Sequence, residues 1–191
     1  GTPWYPGDTL NASIGQGYVL STPLQLAAAT AALANRGRLV RPHLLRGVED
    51  PETGEIQRPA EQVTEVQLGD ASQYERVIEG MMAVMHGSHG TARRAGQQLS
   101  YRIAAKTGTS QLVSLPQAGE AAQDTPEHLK DHALFIAFAP AERPRVALAL
   151  VIENGGSGGK IAAPIARRIL DYYFVERLRR AGLKESRYVR G

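Results

Sequence analysis

The sequence predicts an antiparallel α+β domain, in which helices flank a sheet, within a chain of 191 residues. Residues 133–139 and 146–152 are apolar at nearly every position and are separated by a segment with two prolines. This pattern is typical of a buried β-hairpin with a five- or six-residue loop. A helix-rich first half precedes a strand, the hairpin and a last helix, and that order favours an antiparallel sheet.

The first 69 residues predict one interrupted strand and one helix. Residues 9–20 are expected to form a strand broken at Gly15 and Gly17, where a positive φ or a close neighbour favours glycine. A helix is expected from Thr22, its N-cap, through Pro23 in the first position to Gly37. We expect residues 38–49 to be extended, residues 50–54 to turn and residues 55–69 to form a surface connection.

Two further helices are predicted on either side of the strands. The first covers residues 70–86, with Asp70 and Gln73 placed as in a capping box. Its expected apolar side consists of Val77, Met81, Met82 and Met85. The second covers residues 160–180, with an apolar stripe of Ile161, Ile165, Ile169 and Tyr172 or Tyr173.

Residues 101–105 are expected to form a strand that continues into residues 106–111. The polar segment 112–131 is expected to form a surface loop; the alternative is that it forms a lid over a cleft. We expect the domain to extend over residues 1–181 and residues 182–191 to form a flexible tail.

The charge distribution argues against a nucleic-acid partner. Residues 167–191 carry eight basic and three acidic side chains, whereas the other 166 residues carry 14 basic and 16 acidic ones. Such a basic end is typical of a solvated helix face, and no aromatic residues are interleaved as in single-strand binders. The chain has no Cys, which excludes disulfides, thiolate nucleophiles and Cys-ligated metal sites.

The strongest chemical signal is Lys106-Thr107-Gly108-Thr109, at the end of the strand predicted from residue 101. A cationic Lys and two hydroxyls on one strand edge suit a carboxylate. Alternation along the strand turns Lys106 and Gly108 to one side and the two threonines to the other. Gly108 leaves the edge uncrowded for a substrate backbone. From spacing alone, an exposed strand with ordinary polar residues remains the alternative.

Several motifs together resemble those of penicillin-binding transpeptidase domains, and the resemblance covers most of the chain. Lys106-Thr107-Gly108 matches the third active-site motif of that family. The other residues that carry the resemblance are Ser13-Ile14-Gly15-Gln16-Gly17, Thr22-Pro23-Leu24-Gln25-Leu26-Ala27, Ala34-Asn35-Arg36-Gly37, Asp131-His132-Ala133 and Glu153-Asn154-Gly155-Gly156. Among the subfamilies, it is closest to the elongation-specific class B enzymes of rod-shaped Gram-negative bacteria.

The resemblance implies the penicillin-binding and serine β-lactamase-like fold and a serine-type D-Ala-D-Ala transpeptidase that cross-links peptidoglycan. In the family, a Ser of an S-x-x-K motif forms an acyl-enzyme that an amine of a neighbouring stem peptide resolves. Lys106 is then the catalytic residue of this chain, because it stabilises charge and tunes proton transfer. Thr107, Gly108 and Thr109 bind the terminal carboxylate side of the stem peptide or of a β-lactam. The N–H of Thr109 is one of two oxyanion-hole donors, and which threonine hydroxyl dominates stays open.

The family also implies a setting for the protein. It places such enzymes on the periplasmic face of the inner membrane, held by an N-terminal anchor outside this chain, in the synthesis of the cell wall and the control of cell shape. It implies a membrane glycan polymerase as a partner. Neither a cofactor nor a metal is expected.

The two other active-site motifs of the family are not found in these 191 residues. No S-x-N or S-x-D sequence occurs, and the one S-x-x-K match, Ser157 to Lys160, lies in a Gly-rich turn instead of starting a buried helix. We therefore expect this chain to be the C-terminal part of the domain and the nucleophile to come from an upstream half.

The remaining polar candidates have structural explanations. Gly15-Gln16-Gly17 is expected to support the active-site strand. His86, His89, His128 and His132 are expected to be surface or hydrogen-bonded histidines, because no third metal ligand has suitable spacing. Two other functions stay open: a serine β-lactamase-like hydrolase, and a non-catalytic fragment with a binding or scaffold role.

Overall fold

The computed structural model describes residues 3–67, 70–111 and 126–177 and has the predicted antiparallel α+β architecture. Its elements in chain order are α1 (Pro6–Ser13), α2 (Pro23–Ala34), β1 (Arg38–Val40), β2 (Val48–Glu49), β3 (Ile56–Gln57), β4 (Val63–Glu65), α3 (Ser72–His86), β5 (Ala104–Ser110), a 3₁₀ turn (Glu127–Leu129), β6 (His132–Ala139), β7 (Val146–Ile152), a π-helical turn (Gly158–Ala162), α4 (Ala163–Asp171) and a second π-helical turn (Tyr172–Arg177).

The central sheet has the strand order β5-β6-β7, and both pairs are antiparallel. The predicted hairpin is confirmed, with Ala139 opposite Val146 at its closed end. Within the described ranges β5 pairs with β6 alone, so one of its edges is free of strand partners. Two small antiparallel pairs, β1-β4 and β2-β3, lie outside this sheet.

Helices cover both faces of the central sheet. On one, here called the α4 face, Ala105, Phe135 and Ala137 pack with Ala166 and Leu170 of α4. The opposite face is the α2/α3 face, where the core consists of Ala34, Ile78, Met81, Ala104, Phe138 and Ala141. This burial on both sides explains why the two hairpin strands are apolar at nearly every position.

Helix α2 begins as the sequence predicts. The Thr22 hydroxyl accepts from the Gln25 N–H at 3.2 Å, and the Gln25 amide oxygen accepts from the Thr22 N–H at 2.8 Å. These reciprocal bonds are a capping box, and Pro23 occupies the first turn. Gly37, which follows the helix, has a φ of +98°.

The strand expected at residues 9–20 is wrong. Residues 6–13 form α1, because Pro6 stands in the first turn and the Asp8 carboxylate accepts from the Tyr5 N–H at 2.9 Å. These start signals override the local β-propensity of the segment. The positive φ expected at Gly15 and Gly17 is confirmed, with values of +76° and +67°.

In the middle of the chain, α3 and β5 begin later than predicted, and two short strands were not predicted. Helix α3 begins at Ser72, whose N–H donates to the Asp70 carboxylate, and its buried side is Tyr74, Ile78, Met81 and Met85. Val77 is 49% exposed, so its place on the apolar side was wrong. The expected surface connection contains β3 and β4, which are too short and too exposed to show an apolar pattern. Strand β5 starts at Ala104 instead of at residue 101.

The apolar stripe predicted for the last helix faces outward. Ile161, Ile165, Ile169 and Tyr172 are 43%, 37%, 46% and 51% exposed. The buried side is instead Ala162, Ala163, Ala166, Leu170 and Phe174. Small alanines bring the helix close to the sheet, and the larger isoleucines lie on the far side.

Residues 112–125 and 182–191, predicted as a loop and a tail, lie outside the described residues. Among the described residues, no helix combines the length and the apolar character that crossing a membrane requires.

A partly buried group of hydrogen bonds joins α4 to the segment before β5. The Tyr101 hydroxyl donates to the Asp171 carboxylate at 2.8 Å, and the Arg167 Nε donates to the same carboxylate at 3.1 Å. Arg167 also donates to the carbonyls of Ala95 and Gln97. Burial, and next the Asp171 carboxylate, raise the pKa of Tyr101 well above its ordinary value, so the phenol stays protonated and donates.

We predict that Tyr101→Phe lowers the free energy of unfolding by about 1–2 kcal/mol, because a carboxylate loses a hydrogen-bond donor in a partly buried place. Chemical denaturation of the purified protein measures the change. Tyr18→Phe is the matched control, since Tyr18 is 65% exposed. Equal stabilities of Tyr101→Phe and wild type would show that this bond is not stabilising.

Candidate functional site

The Lys106-Thr107-Gly108-Thr109 motif lies on β5, and the strand's hydrogen bonds show which backbone groups face its free edge. The Arg102 carbonyl accepts from Ala141 on the β6 side, whereas the Ile103 N–H donates to His86 on the opposite side, at 3.0 Å. Along an antiparallel strand, successive residues direct their N–H and C=O groups to opposite edges. The N–H and C=O groups of Thr107 and Thr109 therefore face the free edge.

Lys106 lies on the α2/α3 face, next to the free edge. It shares this face with Ala104, since alternate residues of a strand point to the same side. Its side chain is exposed, and its Nζ donates to the Thr107 carbonyl at 2.5 Å. The ammonium group thus lies beside the edge that the motif presents.

Thr107 points to the α4 face and has a close polar neighbour. Its hydroxyl lies 3.0 Å from the hydroxyl of Thr91, in the turn that follows α3. Gly90 permits this turn, because a Cβ there would lie 2.3 Å from the Val84 carbonyl. Sequence reasoning missed Thr91, since a threonine after a glycine carries no chemical signal of its own.

Thr109 is exposed, and Gln16 holds the backbone beside it. The Gln16 Nε2 donates to the Thr109 carbonyl at 3.0 Å, across 93 residues of sequence. This contact is the support that was expected of Gly15-Gln16-Gly17. Because a residue's N–H and C=O point to the same edge, the Thr109 N–H also lies on the free edge.

Gly108 has one close neighbour, on the side of β6. A Cβ at this position would lie 3.2 Å from the Leu134 Cβ on the neighbouring strand. From the other side, a Cβ on Gly158 would lie 2.6 Å from the Gly108 carbonyl oxygen. A side chain at Gly108 would therefore be tight against β6, and the close approach of the π-helical turn to the Gly108 backbone requires the glycine at Gly158.

Ser157, in the S-x-x-K match set aside above, is a helix cap. Its hydroxyl accepts from the backbone N–H of Lys160 at 3.3 Å, at the start of the π-helical turn. Lys160 is exposed. The Ser and Lys side chains therefore do not form the buried pair that a nucleophile needs.

His132 has a structural partner in the turn that follows β7. His132 Nδ1 accepts from the Asn154 N–H at 3.0 Å, and the Asn154 amide donates to the carbonyls of His128 and Lys130. Across residues 3–67, 70–111 and 126–177, no group of three or more possible metal ligands comes together.

His86 connects the end of α3 to the start of β5. Its Nε2 accepts from Ile103, so Nδ1 carries the proton of the neutral ring. Partial burial of the ring, and next the Arg102 guanidinium, lower the pKa of His86 below 6.5. The neutral ring is therefore the form that supports β5.

Comparison with known proteins gives one consistent family. Residues 1–171 match the penicillin binding protein transpeptidase domain. The chain is 43% identical over 174 residues to the peptidoglycan D,D-transpeptidase MrdA of Salmonella typhimurium, covering 90% of this chain and 28% of that protein. It thus spans just over a quarter of that relative's length.

Solved structures agree with this match. The penicillin-binding protein PBP2 of Pseudomonas aeruginosa, in complex with WCK 5153, superposes with a TM-score of 0.74 and 40% identity, over 91% of this chain and 34% of that one. PBP2 of Helicobacter pylori, in complex with MreC, gives a TM-score of 0.69 and 27% identity, over 90% of this chain and 28% of that one. These relatives are a peptidoglycan D,D-transpeptidase and penicillin-binding proteins, which favours a transpeptidase over the β-lactamase alternative.

We predict that the protein loses stability as the pH falls from about 6.5 towards the lowered pKa of His86. The unfolded chain binds a proton at a higher pH than the folded chain does, so protonation favours unfolding. Thermal unfolding midpoints between pH 8 and pH 5 measure this effect. His86→Gln should flatten the profile, with His89→Gln as the control; identical profiles for wild type and His86→Gln would contradict the prediction.

We predict that Gln16→Met speeds amide exchange in residues 107–111. Methionine keeps the length of the side chain but cannot donate to the Thr109 carbonyl, so this end of β5 opens more readily. Hydrogen–deuterium exchange with mass spectrometry measures the rate. Gln57→Met on β3 is the control, and unchanged exchange in Gln16→Met would show that Gln16 does not hold the strand.

Proposed function

The chain belongs to the penicillin-binding protein transpeptidase domain family, and on that premise we propose that it forms the substrate-binding side of a peptidoglycan D,D-transpeptidase. The free edge of β5 carries the proposal. It presents the backbone groups of Thr107 and Thr109 on one strand, with the Lys106 ammonium beside them. An extended peptide can pair with such an edge through its main chain.

Recognition of the stem peptide rests on its terminal carboxylate. Lys106 supplies a positive charge near the carboxylate. The hydroxyls of Thr107 and Thr109 supply hydrogen-bond donors for its oxygens. Gly158 lets the π-helical turn lie close to the backbones of Gly108 on β5 and Leu134 on β6. We assign substrate binding to Thr107, Gly108 and Thr109 and a catalytic role to Lys106.

The N–H of Thr109 is our candidate for an oxyanion-hole donor. It lies on the free edge, and a backbone N–H held by a strand is preorganised for a developing negative charge. The Gln16 contact with the Thr109 carbonyl supports this role, because it restrains the next peptide group of the strand.

We place the nucleophile outside these 191 residues. A serine hydroxyl there attacks the carbonyl carbon between the two D-alanines, and its proton passes to the leaving amine as the amide bond breaks. The terminal D-alanine departs and an ester remains on the serine. An amine of a second stem peptide then attacks the ester, forms the cross-link and returns a proton to the serine oxygen.

We extend the proposal to the setting of the whole protein. Peptidoglycan lies outside the inner membrane, so the enzyme works on the periplasmic face and is held there by a membrane anchor. A PBP2 relative forms a complex with MreC, which supports a scaffold partner of that kind. A membrane glycan polymerase is the further partner that cell-wall synthesis and cell shape require.

Benzylpenicillin labelling tests the proposed function. We predict that the full-length protein gains the mass of one penicilloyl group on a serine outside this chain. Lys106→Ala should slow acylation by about 10²–10³-fold, because it removes a preorganised charge from the site. Intact mass against time, followed by peptide mapping, measures both quantities.

Lys130→Ala is the matched control, since Lys130 is exposed and its hydrogen bonds with Asn154 and Glu127 are made by its backbone. An adduct on Ser157, or no adduct on the folded full-length protein, would contradict the proposal. The second result would favour a non-catalytic binding role for the chain.

A further inference from the structure

Three segments meet at Thr107, and together they hold its side chain. A Cβ on Gly159 would lie 3.7 Å from the Thr107 Cγ2 and 2.4 Å from the Thr91 carbonyl oxygen. Gly159 of the π-helical turn therefore lies near the methyl group of Thr107, while the hydroxyls of Thr107 and Thr91 are 3.0 Å apart. Threonine is stiff at χ1, so fixing the methyl group also fixes the hydroxyl.

When a carboxylate is bound, the number of protons on the two hydroxyls decides which of Thr91 and Thr107 donates the hydrogen bond between them. Each hydroxyl has one proton, and a carboxylate only accepts. If Thr107 gives its proton to the substrate carboxylate, its oxygen can receive the Thr91 proton but cannot donate to Thr91. Thr91 must then be the donor, and a chain of hydrogen bonds in one direction strengthens each bond.

We infer that Thr91 is a positioning residue for substrate recognition: its hydroxyl donates to the Thr107 hydroxyl and directs the Thr107 proton to the terminal carboxylate of the stem peptide or a β-lactam. This inference rests on the proposed function. Thr91 does not contact the reacting atoms in this role. Its effect belongs to binding of the carboxylate and not to the acylation step.

The test compares benzylpenicillin with its methyl ester on the full-length protein. Thr91→Val keeps the shape of the side chain but removes the hydroxyl, and Thr91 is exposed, so we expect the variant to fold. For benzylpenicillin we expect the dissociation constant of the complex that precedes acylation to rise about 10-fold. The acylation rate constant should change little. The methyl ester has no carboxylate, so its slower acylation should be the same in Thr91→Val and wild type.

Two further variants and a control isolate the hydroxyl. Thr91→Ser keeps the hydroxyl and should restore benzylpenicillin binding, whereas Thr91→Ala should show the same ligand-dependent loss as Thr91→Val. Thr64→Val makes the same substitution on β4, where Thr64 is exposed, and should behave as wild type. Thermal unfolding of each variant verifies that it is folded.

The outcomes separate this inference from the proposed function. If benzylpenicillin does not acylate wild type, the proposed function fails and this inference fails with it. If wild type is acylated and Thr91→Val or Thr91→Ala binds benzylpenicillin equally well, only this inference is overturned. An equal loss with the methyl ester, or no rescue by Thr91→Ser, would show a merely structural role for Thr91 and would also overturn it.

Discussion

The functional part of this structure depends on a strand that has one unpaired edge and is restrained on every other side. Strand β5 has β6 on one edge and helices over both faces. An open edge normally invites pairing with other strands. Here two side chains from outside the sheet take up backbone groups near its ends, His86 at Ile103 and Gln16 at Thr109. The stretch between these two contacts is the part of β5 that we propose to pair with the stem peptide.

Close backbone packing on the α4 face complements these hydrogen bonds. A Cβ on Gly158 would lie 2.5 Å from the Leu134 carbonyl oxygen and 2.6 Å from that of Gly108, so the turn before α4 rests directly on β5 and β6. The fully buried alanines of α4 continue this close approach along the helix. Contact of this kind holds the strand rigid. A rigid edge loses little conformational entropy when a substrate pairs with it.

Elements with strong local signals were predictable from the sequence, and those set by tertiary contacts were not. The hairpin and α2 follow from continuous apolar runs and from Thr22 and Pro23, which are local chemistry. The side of the last helix that is buried was not predictable, because alanine has a weak hydrophobic signal although it packs closest. Of the site, Lys106 to Thr109 could be found from the motif. Thr91, 16 residues away from Thr107 in sequence, could be found only after the turn that follows α3 had been placed.

The two faces of β5 divide the chemistry of the site between separate supports. Lys106 lies on the α2/α3 face, whereas Thr107 lies on the α4 face with Thr91 and Gly159. The charge proposed to stabilise the reaction and the hydroxyl proposed to recognise the carboxylate thus lie on opposite faces of β5, and they meet at the edge of the strand. Lys106 and Thr107 are nonetheless coupled, because the Lys106 Nζ donates to the Thr107 carbonyl and contacting residues are not energetically independent. Thr91 contacts the side chain of Thr107, whereas Lys106 contacts its backbone, so a substitution at Thr91 reaches Lys106 through the Thr107 backbone and should alter the proposed carboxylate recognition more than the surroundings of Lys106.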